Sequence, residues 1–554
     1  MKKVITILAA MLFISLQTFA QAPNWLWAKS AGGSDYDYGN GIAVDGNGNS
    51  FVTGYFQSSS ITFGSTTLTN AGSVGTPDIF IVKYDASGNV VWAKSAGGNQ
   101  NDKGNSIAID GSGNSYVTGY FSSSTITFDT ITLTSGGTVN MFIVKYDVSG
   151  NVVWAKSVSA SGTVSSNGIA VDGSSNSYVT GWFASPSITF GTTTLTNASV
   201  GHADIFIVKY DASGNVVWAK RAGGSDDDEG ESIAVDGSGN SYVIGFFGSA
   251  SLTFGITTLI NAGASYDMFI VKYDVGGNVL WAKRAGGAGN EYGSGIAVDG
   301  SGNSFVTGYF NSSSFTFDTT TLTTAGTLDI FIVKYDSSGN VVWAKSAGGG
   351  FQDVGTSIAV DGSGNSYATG YFGSSSITFG TTTLTNVTSG YADIFIVKYD
   401  AGGNVVWAKS AGGNNYDESF SIAIDGSGNS YVTGIFASSS TTFGTTTLTN
   451  AGGGGWDIFV AKLANIVTSV PEIKDGVGLI VYPNPATTLL NIHHSTSTSP
   501  ETLLITDLLG TVVYKENLTG IDNTISISTW SAGIYFYEVR SEKESARGKF
   551  VVQK

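Results

Sequence analysis

The sequence predicts an all-β fold: a seven-bladed β-propeller closed by its N-terminal strand, followed by a small C-terminal β-sandwich. Three observations predict it. A unit of short β-strands returns seven times along the chain. The fragments at the two ends of this array complement each other. The composition is turn-rich and aromatic-rich, with 76 Gly, 7 Pro and 12% aromatics in 554 residues, which is β composition rather than a disordered or collagen-like one.

The unit is organised around Asp78 to Lys94. Ile79 to Tyr84 and Val90 to Lys94 are β-branched and aromatic runs, and Ser87-Gly88-Asn89 between them supplies the turn. Gly88 can take the positive φ that a short hairpin loop needs. The tryptophan of Trp-Ala-Lys falls at Trp27, Trp92, Trp154, Trp218, Trp281, Trp343 and Trp407, spaced by 62 to 65 residues. The Asp-Gly turns begin at Asp45, Asp110, Asp172, Asp236, Asp299, Asp361 and Asp425. A third marker recurs at Phe63, Phe128, Phe190, Phe254, Phe317, Phe379 and Phe443.

In chain order, strand a of the first unit is Gly41 to Val44 and strand b is Ser50 to Phe56. A Ser/Thr-rich segment, Ser58 to Asn70, reads as a hairpin of its own. Strand c is Asp78 to Tyr84 and strand d is Val90 to Lys94. Four hairpin-linked strands make one propeller blade. The array opens on Asn24 to Lys29, a strand d with nothing before it. It closes on Asp457 to Leu463, a strand c with no d after it. The N-terminal strand is therefore expected to complete the seventh blade, which removes an open edge. An open solenoid is the alternative.

The domain organisation follows. Met1-Lys2-Lys3, the apolar run Val4 to Phe13 and Thr18-Phe19-Ala20 read as a secretory signal peptide over 1–20, cleaved after Ala20. The propeller covers 21–464, a linker 465–478, and a C-terminal domain 479–554. After signal removal no stretch is apolar enough to form a transmembrane segment. There are no cysteines, which excludes disulfides, thiolate metal sites and a Cys nucleophile. The net charge of −16 argues against nucleic acid and anionic membrane surfaces as partners.

The repeat Asp-(Ile/Met)-Phe-Ile-Val-Lys-Tyr-Asp-x-x-Gly-Asn-Val-Val-Trp-Ala-Lys, followed by Ile-Ala-Val-Asp-Gly-Ser-Gly-Asn-Ser-Tyr-Val-Thr-Gly, resembles the SBBP-type β-propeller repeat over residues 24 to 464. The resemblance implies an extracellular module without a defined activity. The C-terminal segment carries Tyr482-Pro483-Asn484-Pro485-Ala486, Asp507-Leu508-Leu509-Gly510, Gly533-Ile534-Tyr535 and the ending Lys549 to Lys554. It resembles the type A C-terminal sorting domain of the Bacteroidota type IX secretion system, with Tyr482, Pro483, Asn484, Pro485, Gly533 and Tyr535 as the sorting motif. That resemblance implies passage through the periplasm, handling by the type IX machinery, and a secreted or outer-membrane cell-surface location. An ordinary adhesive β-sandwich is the alternative.

Candidate function sits on the face formed by the d-to-a and b-to-c loops, which vary between repeats. Tyr36, Tyr38, Tyr292, Phe351 and Tyr416 are expected there as exposed aromatics among acids, suited to a glycan or protein ligand. Solvated loops without function are the alternative. Asp226, Asp227, Asp228 and Glu229 are the densest acidic run, and hard oxygen donors are what Ca²⁺ takes. Beyond that ion no cofactor is implied. The Asp45-type residues read as hairpin caps, expected to ring the central channel. With three histidines in the chain, two of them at His493-His494 outside the array, a Ser-His-Asp triad or His metal site has little to build from. The expected role is non-catalytic binding, adhesion or scaffolding. A carbohydrate-active enzyme using loop-face carboxylates and a structural surface-layer protein are the alternatives.

Overall fold

The computed structural model describes residues 23–73, 75–158, 160–263, 265–452, 454–465, 479–494, 501–508, 510–518, 520–540 and 545–553. The signal-peptide assignment and all but Asn465 of the linker assignment lie outside the described residues. The chain divides into two compact units, 1–467 and 468–554.

The first unit contains seven four-stranded antiparallel sheets. In the first, Asp37–Val44, Ser50–Phe56, Asp78–Tyr84 and Val90–Ala96 pair in chain order. The first strand is longer than expected by four residues at its N-terminal end. The last sheet takes Asp417–Ile424, Ser430–Phe436 and Asp457–Leu463 from the end of the array and Trp25–Ala31 from its start. Trp27 to Ala31 pair antiparallel with Lys462 to Ile458. This is the pairing that the orphan end fragments predict.

The two middle strands of each blade are buried on both faces because each sheet is covered by its neighbours, while the outer strand is half exposed. All seven residues of Ser50–Phe56 are buried. One apolar cluster joins Ile42, Val52, Phe80 and Val82 of the first sheet to Tyr431, Ile458 and Val460 of the last. The Ser/Thr-rich insertion forms a two-stranded hairpin, Ser60–Phe63 with Thr66–Thr69. Ile61, Phe63 and Leu68 are its buried side chains, and Thr62 and Thr67 face solvent with their hydroxyls 3.0 Å apart.

The Asp-Gly turns are caps. Asp45 Oδ1 accepts from the backbone N–H of Asn47 and Asn49, both at 2.9 Å, and Oδ2 from the Asn49 side chain at 2.7 Å. These aspartates do not line the channel cavity described below, contrary to the sequence expectation. Asp110 instead faces the next blade, whose Ser175 hydroxyl donates to it at 3.0 Å. The recurring tyrosine of strand b latches blades together: the Tyr178 hydroxyl lies 3.1 Å from Asp172 in its own blade and donates to Gly239 O of the next at 3.1 Å. The repeat tryptophan does likewise, Trp218 Nε1–H donating to Val275 O at 3.1 Å.

The second unit packs a three-stranded sheet (Leu479–Tyr482, Leu489–His494, Asp522–Ser526) with a four-stranded one (Val512–Leu518, Glu501–Thr506, Gly533–Arg540, Ser545–Val552). Leu490, Ile492, Leu503, Ile505, Tyr537 and Phe550 fill a shared core.

Candidate functional site at the channel mouth

One residue from each of the seven inner strands, at the same repeat position, lines a single cavity of about 450 Å³. These are Asn40, Asn105, Asn167, Glu231, Ser294, Thr356 and Phe420. A bulge places them there. In every inner strand the register shifts one residue short of the midpoint, as between Gly39 and Gly41, and between Ser419 and Ser421. The bulged strand re-aims its side chains.

Two residues nearer the loop face stands a second ring: Tyr38, Lys103, Ser165, Glu229, Tyr292, Val354 and Glu418. Each pairs across its blade with a strand-b residue, respectively Tyr55, Tyr120, Trp182, Phe246, Tyr309, Tyr371 and Ile435. Six of these seven partners are aromatic. None of the strand-b aromatics in this belt is among the loop aromatics that the sequence singles out. The signal that finds it is the dipeptide Gly-aromatic at the end of strand b, from Gly54-Tyr55 to Gly370-Tyr371.

The belt is reinforced at two blade junctions. Tyr38 stacks on Tyr55 with centroids 4.5 Å apart and lies 5.4 Å from Trp456 of the preceding blade. Tyr292 stacks on Tyr309 at 5.0 Å and meets Phe246 edge-on at 4.9 Å. Tyr38 and Tyr292 are thus half-buried parts of these stacks, a correction to their expected exposure. Burial pushes the Tyr38 hydroxyl up to about 12. Tyr36, Phe351 and Tyr416 are exposed, at 41%, 52% and 42%. Tyr36 lies edge-on to Trp456 at 5.3 Å, and Tyr416 edge-on to Tyr391 at 5.1 Å. Lys103 sits 4.2 Å over the Tyr55 ring.

The four acids of the expected metal cluster do not converge. Strand pairing begins at Asp228, so alternation sends neighbouring side chains apart. Asp228 is fully buried and accepts from the Ser249 hydroxyl at 2.7 Å and the Gly224 N–H at 2.8 Å. Glu229 lines the channel cavity with Glu231. Asp226 and Asp227 remain in the loop, each with a carboxylate oxygen 3.5 Å from His202 Nδ1. Asp226, Asp227 and His202 each place one ligand atom within 4.8 Å of the others.

Burial pushes the Glu229 carboxyl up to about 8, with the charges of Glu231 and Asp227 adding to it. Burial alone pushes Glu231 up to about 7. Glu418 is raised to about 7 by burial and then by Asp417.

In the second unit the sorting-motif residues hold the last strand. Asn484 Oδ1 accepts from Val551 N–H at 2.9 Å. Tyr535 stacks on Phe550 at 5.7 Å and donates its hydroxyl to Ser531 O at 2.9 Å. Gly533 opens the strand Gly533–Arg540. Pro483 and Pro485 flank Asn484, and Tyr482 is 47% exposed.

Two family descriptions match this chain. "Beta-propeller repeat" (SBBP) matches 26–55, 91–120, 153–182, 217–245, 280–316 and 406–434. "Secretion system C-terminal sorting domain" matches 480–553. The chain carries SBBP propeller repeats and a type IX sorting domain. The sorting domain directs it to the cell surface or the extracellular space. Among the described residues no helix is long and apolar enough to cross a membrane.

The SBBP array is similar to an uncharacterized WD repeat-containing protein, L264, of Acanthamoeba polyphaga mimivirus, 26% identical over 80% of this chain and 39% of that one. Regulatory protein FlaEY of Caulobacter vibrioides is 28% identical over 20% of this chain and 12% of its own length. The chain thus spans well under half of either relative. Among solved structures, PorZ, an essential surface component of the type IX secretion system of Porphyromonas gingivalis, is 10% identical, with a TM-score of 0.20, over 93% of this chain and 81% of PorZ. Sqt1 of Chaetomium thermophilum is 9% identical, with a TM-score of 0.33, over 80% of this chain and 99% of Sqt1.

Proposed function

We propose that this SBBP propeller is a non-catalytic binding module displayed outside the cell, with the channel mouth as its ligand site. The observation that carries this reading is one polar cavity lined by a residue from every inner strand, with the Trp182 and Phe420 rings in the same lining. Apolar ring faces with a few polar groups are the usual lining of a small-ligand site. Repeated aromatics also suit saccharide faces. The test is binding of the purified chain to a polysaccharide array, with calcium and with chelator. Selective binding that Trp182→Ala abolishes is expected. Selective binding that survives Trp182→Ala but is lost on chelation would move the site to the His202 loop. No selective binding would overturn the glycan part of the reading.

A second reading is favoured by one observation. Glu229 and Glu231 share the cavity, and both are raised toward neutrality. Paired carboxyls of this kind serve glycosidases as acid and nucleophile or base. Hydrolysis of an array glycan, lost in Glu231→Gln, would establish this enzyme instead.

A further inference from the structure

The lining of the channel cavity carries two carboxylates and, among the described residues, no Lys, Arg or His. Glu229 and Glu231 lie on one inner strand and line one cavity. Neither carboxylate has a hydrogen bond or ion pair among the described residues, so both are open to a ligand. Asn40 and Asn105 each spend an amide N–H on the neighbouring blade, donating to Gly104 O and Ser166 O at 2.9 Å. Their amide oxygens stay open. The Thr356 hydroxyl is committed as a donor to Ser419 O at 2.8 Å. Lys103 belongs to the ring above, and its ammonium lies over the Tyr55 ring.

Aromatic walls complete the arrangement. Trp182 and Phe420 line the same cavity as the two glutamates. Trp182 is open to the channel because Ser165, its cross-strand partner, is small. An indole face beside carboxylates attracts an organic cation, the ring through its quadrupole and the carboxylates through charge. A bare metal ion would leave most of the volume of about 450 Å³ unused.

We infer that the channel binds a substituted ammonium ion, held by Glu229 and Glu231 against Trp182 and Phe420. This inference rests on the reading that the channel mouth is the ligand site, and it names the chemistry of the ligand. Neutral saccharides would lack the charge that the two carboxylates select.

The test uses the full chain, with choline and its neutral isostere 3,3-dimethylbutan-1-ol as probes in calorimetry. Both fill the same volume, and only choline is charged. Choline should bind about tenfold more tightly, the discrimination of one cation–π contact in a site shielded from water. Glu231→Gln should remove that preference, while Asp318→Asn, in the exposed turn of an insertion hairpin, should leave it. Choline does not titrate, so its affinity should rise between pH 6 and pH 8.5 as the glutamates ionise. The other titratable groups facing the pair are Asp227, Tyr266, Tyr292 and Tyr309, and the tyrosines are all raised by burial. Equal binding of the two probes, or no binding of choline, would overturn the inference. So would calcium occupying the channel in place of choline, read as loss of the choline isotherm with Glu231-dependent calcium binding. A positive glycan array with no choline binding would overturn this inference alone. If neither binds, the channel-mouth reading falls with it.

Discussion

Asp37 is fully buried at the start of the first inner strand. Its carboxylate accepts from the Ser58 hydroxyl at 2.8 Å and from the N–H groups of Gln57 and Ser58. Those contacts favour the charged form, yet desolvation outweighs them and pushes Asp37 up to about 7. Asp228 and Asp417 rise to about 7, and Asp353 to about 6, for the same reason. In the unfolded chain aspartates ionise near 4. The folded chain therefore holds more protons between about pH 4 and pH 7. The stability these residues contribute is full below their unfolded pKa and is lost as pH rises through 6 to 7. The turn aspartates behave oppositely. Asp85, Asp147 and Asp211 are lowered by hydrogen bonds from Asn89, Asn151 and Asn215, so their contribution is lost as pH falls below about 4. Calorimetry should find the highest melting temperature at about pH 4 and a clear decline by about pH 7 to 8. A melting temperature that rises steadily to pH 8 would contradict the assignment. The turn caps were legible from Asp-Gly-x-Gly-Asn alone, because the chemistry is local. The fates of Asp226 to Glu229 were not, because four adjacent acids look equivalent until the strand start is known.

At the scale of the element, the bulge in the inner strand decides both the site and its cost. It brings the Tyr38 carbonyl so close to strand b that a Cβ on Gly54 would lie 1.8 Å from that oxygen. The equivalent distance at Gly119 is 2.0 Å, to Lys103 O. Gly54 is therefore required by close backbone approach, and the following aromatic is held over the inner strand. Gly54→Ala should destabilise by roughly 1–3 kcal/mol or more, since backbone rather than a flexible side chain must move. Gly46→Ala is the control: a Cβ there meets nothing within 4 Å, and the change should stay within about 0.5 kcal/mol. Denaturant midpoints of the two variants check this, and equal midpoints would refute it. Strand identity was readable from β-branched and aromatic runs, and the Ser/Thr hairpin from its own alternation. The bulge was not readable. A one-residue insertion leaves no compositional mark, and without it the channel-facing position cannot be assigned.

At the scale of the whole molecule, the order of fragments carried the architecture. A strand d at the start and a strand c at the end specify a pairing that no local propensity encodes. The structure contains that pairing, with Ala464 N–H also donating to Asn24 O at 3.0 Å. Contacts between the first and last blades extend it. Ile42 N–H donates to the Ser421 hydroxyl at 3.2 Å, Tyr431 hydroxyl to Gly48 O at 3.0 Å, and Asp37 N–H to Trp456 O at 2.8 Å. Trp25 packs edge-on against Phe443 at 4.9 Å. Deleting residues 23 to 30 would strip the outer strand from the last sheet. It would leave the backbone of Asp457–Leu463 unpaired along one edge, an aggregation template. It would also remove Trp25 and Trp27, both partly buried, from apolar contacts, a loss on the order of 1–2 kcal/mol for each ring. The repeats would then hold only nearest-neighbour contacts, as in an open array, where stability is a sum of local terms and melting broadens. The expected outcome is a lower, broader thermal transition with concentration-dependent aggregation, read by calorimetry and light scattering. An unchanged, sharp transition in the deletion variant would mean that the seven blades hold together without their N-terminal strand.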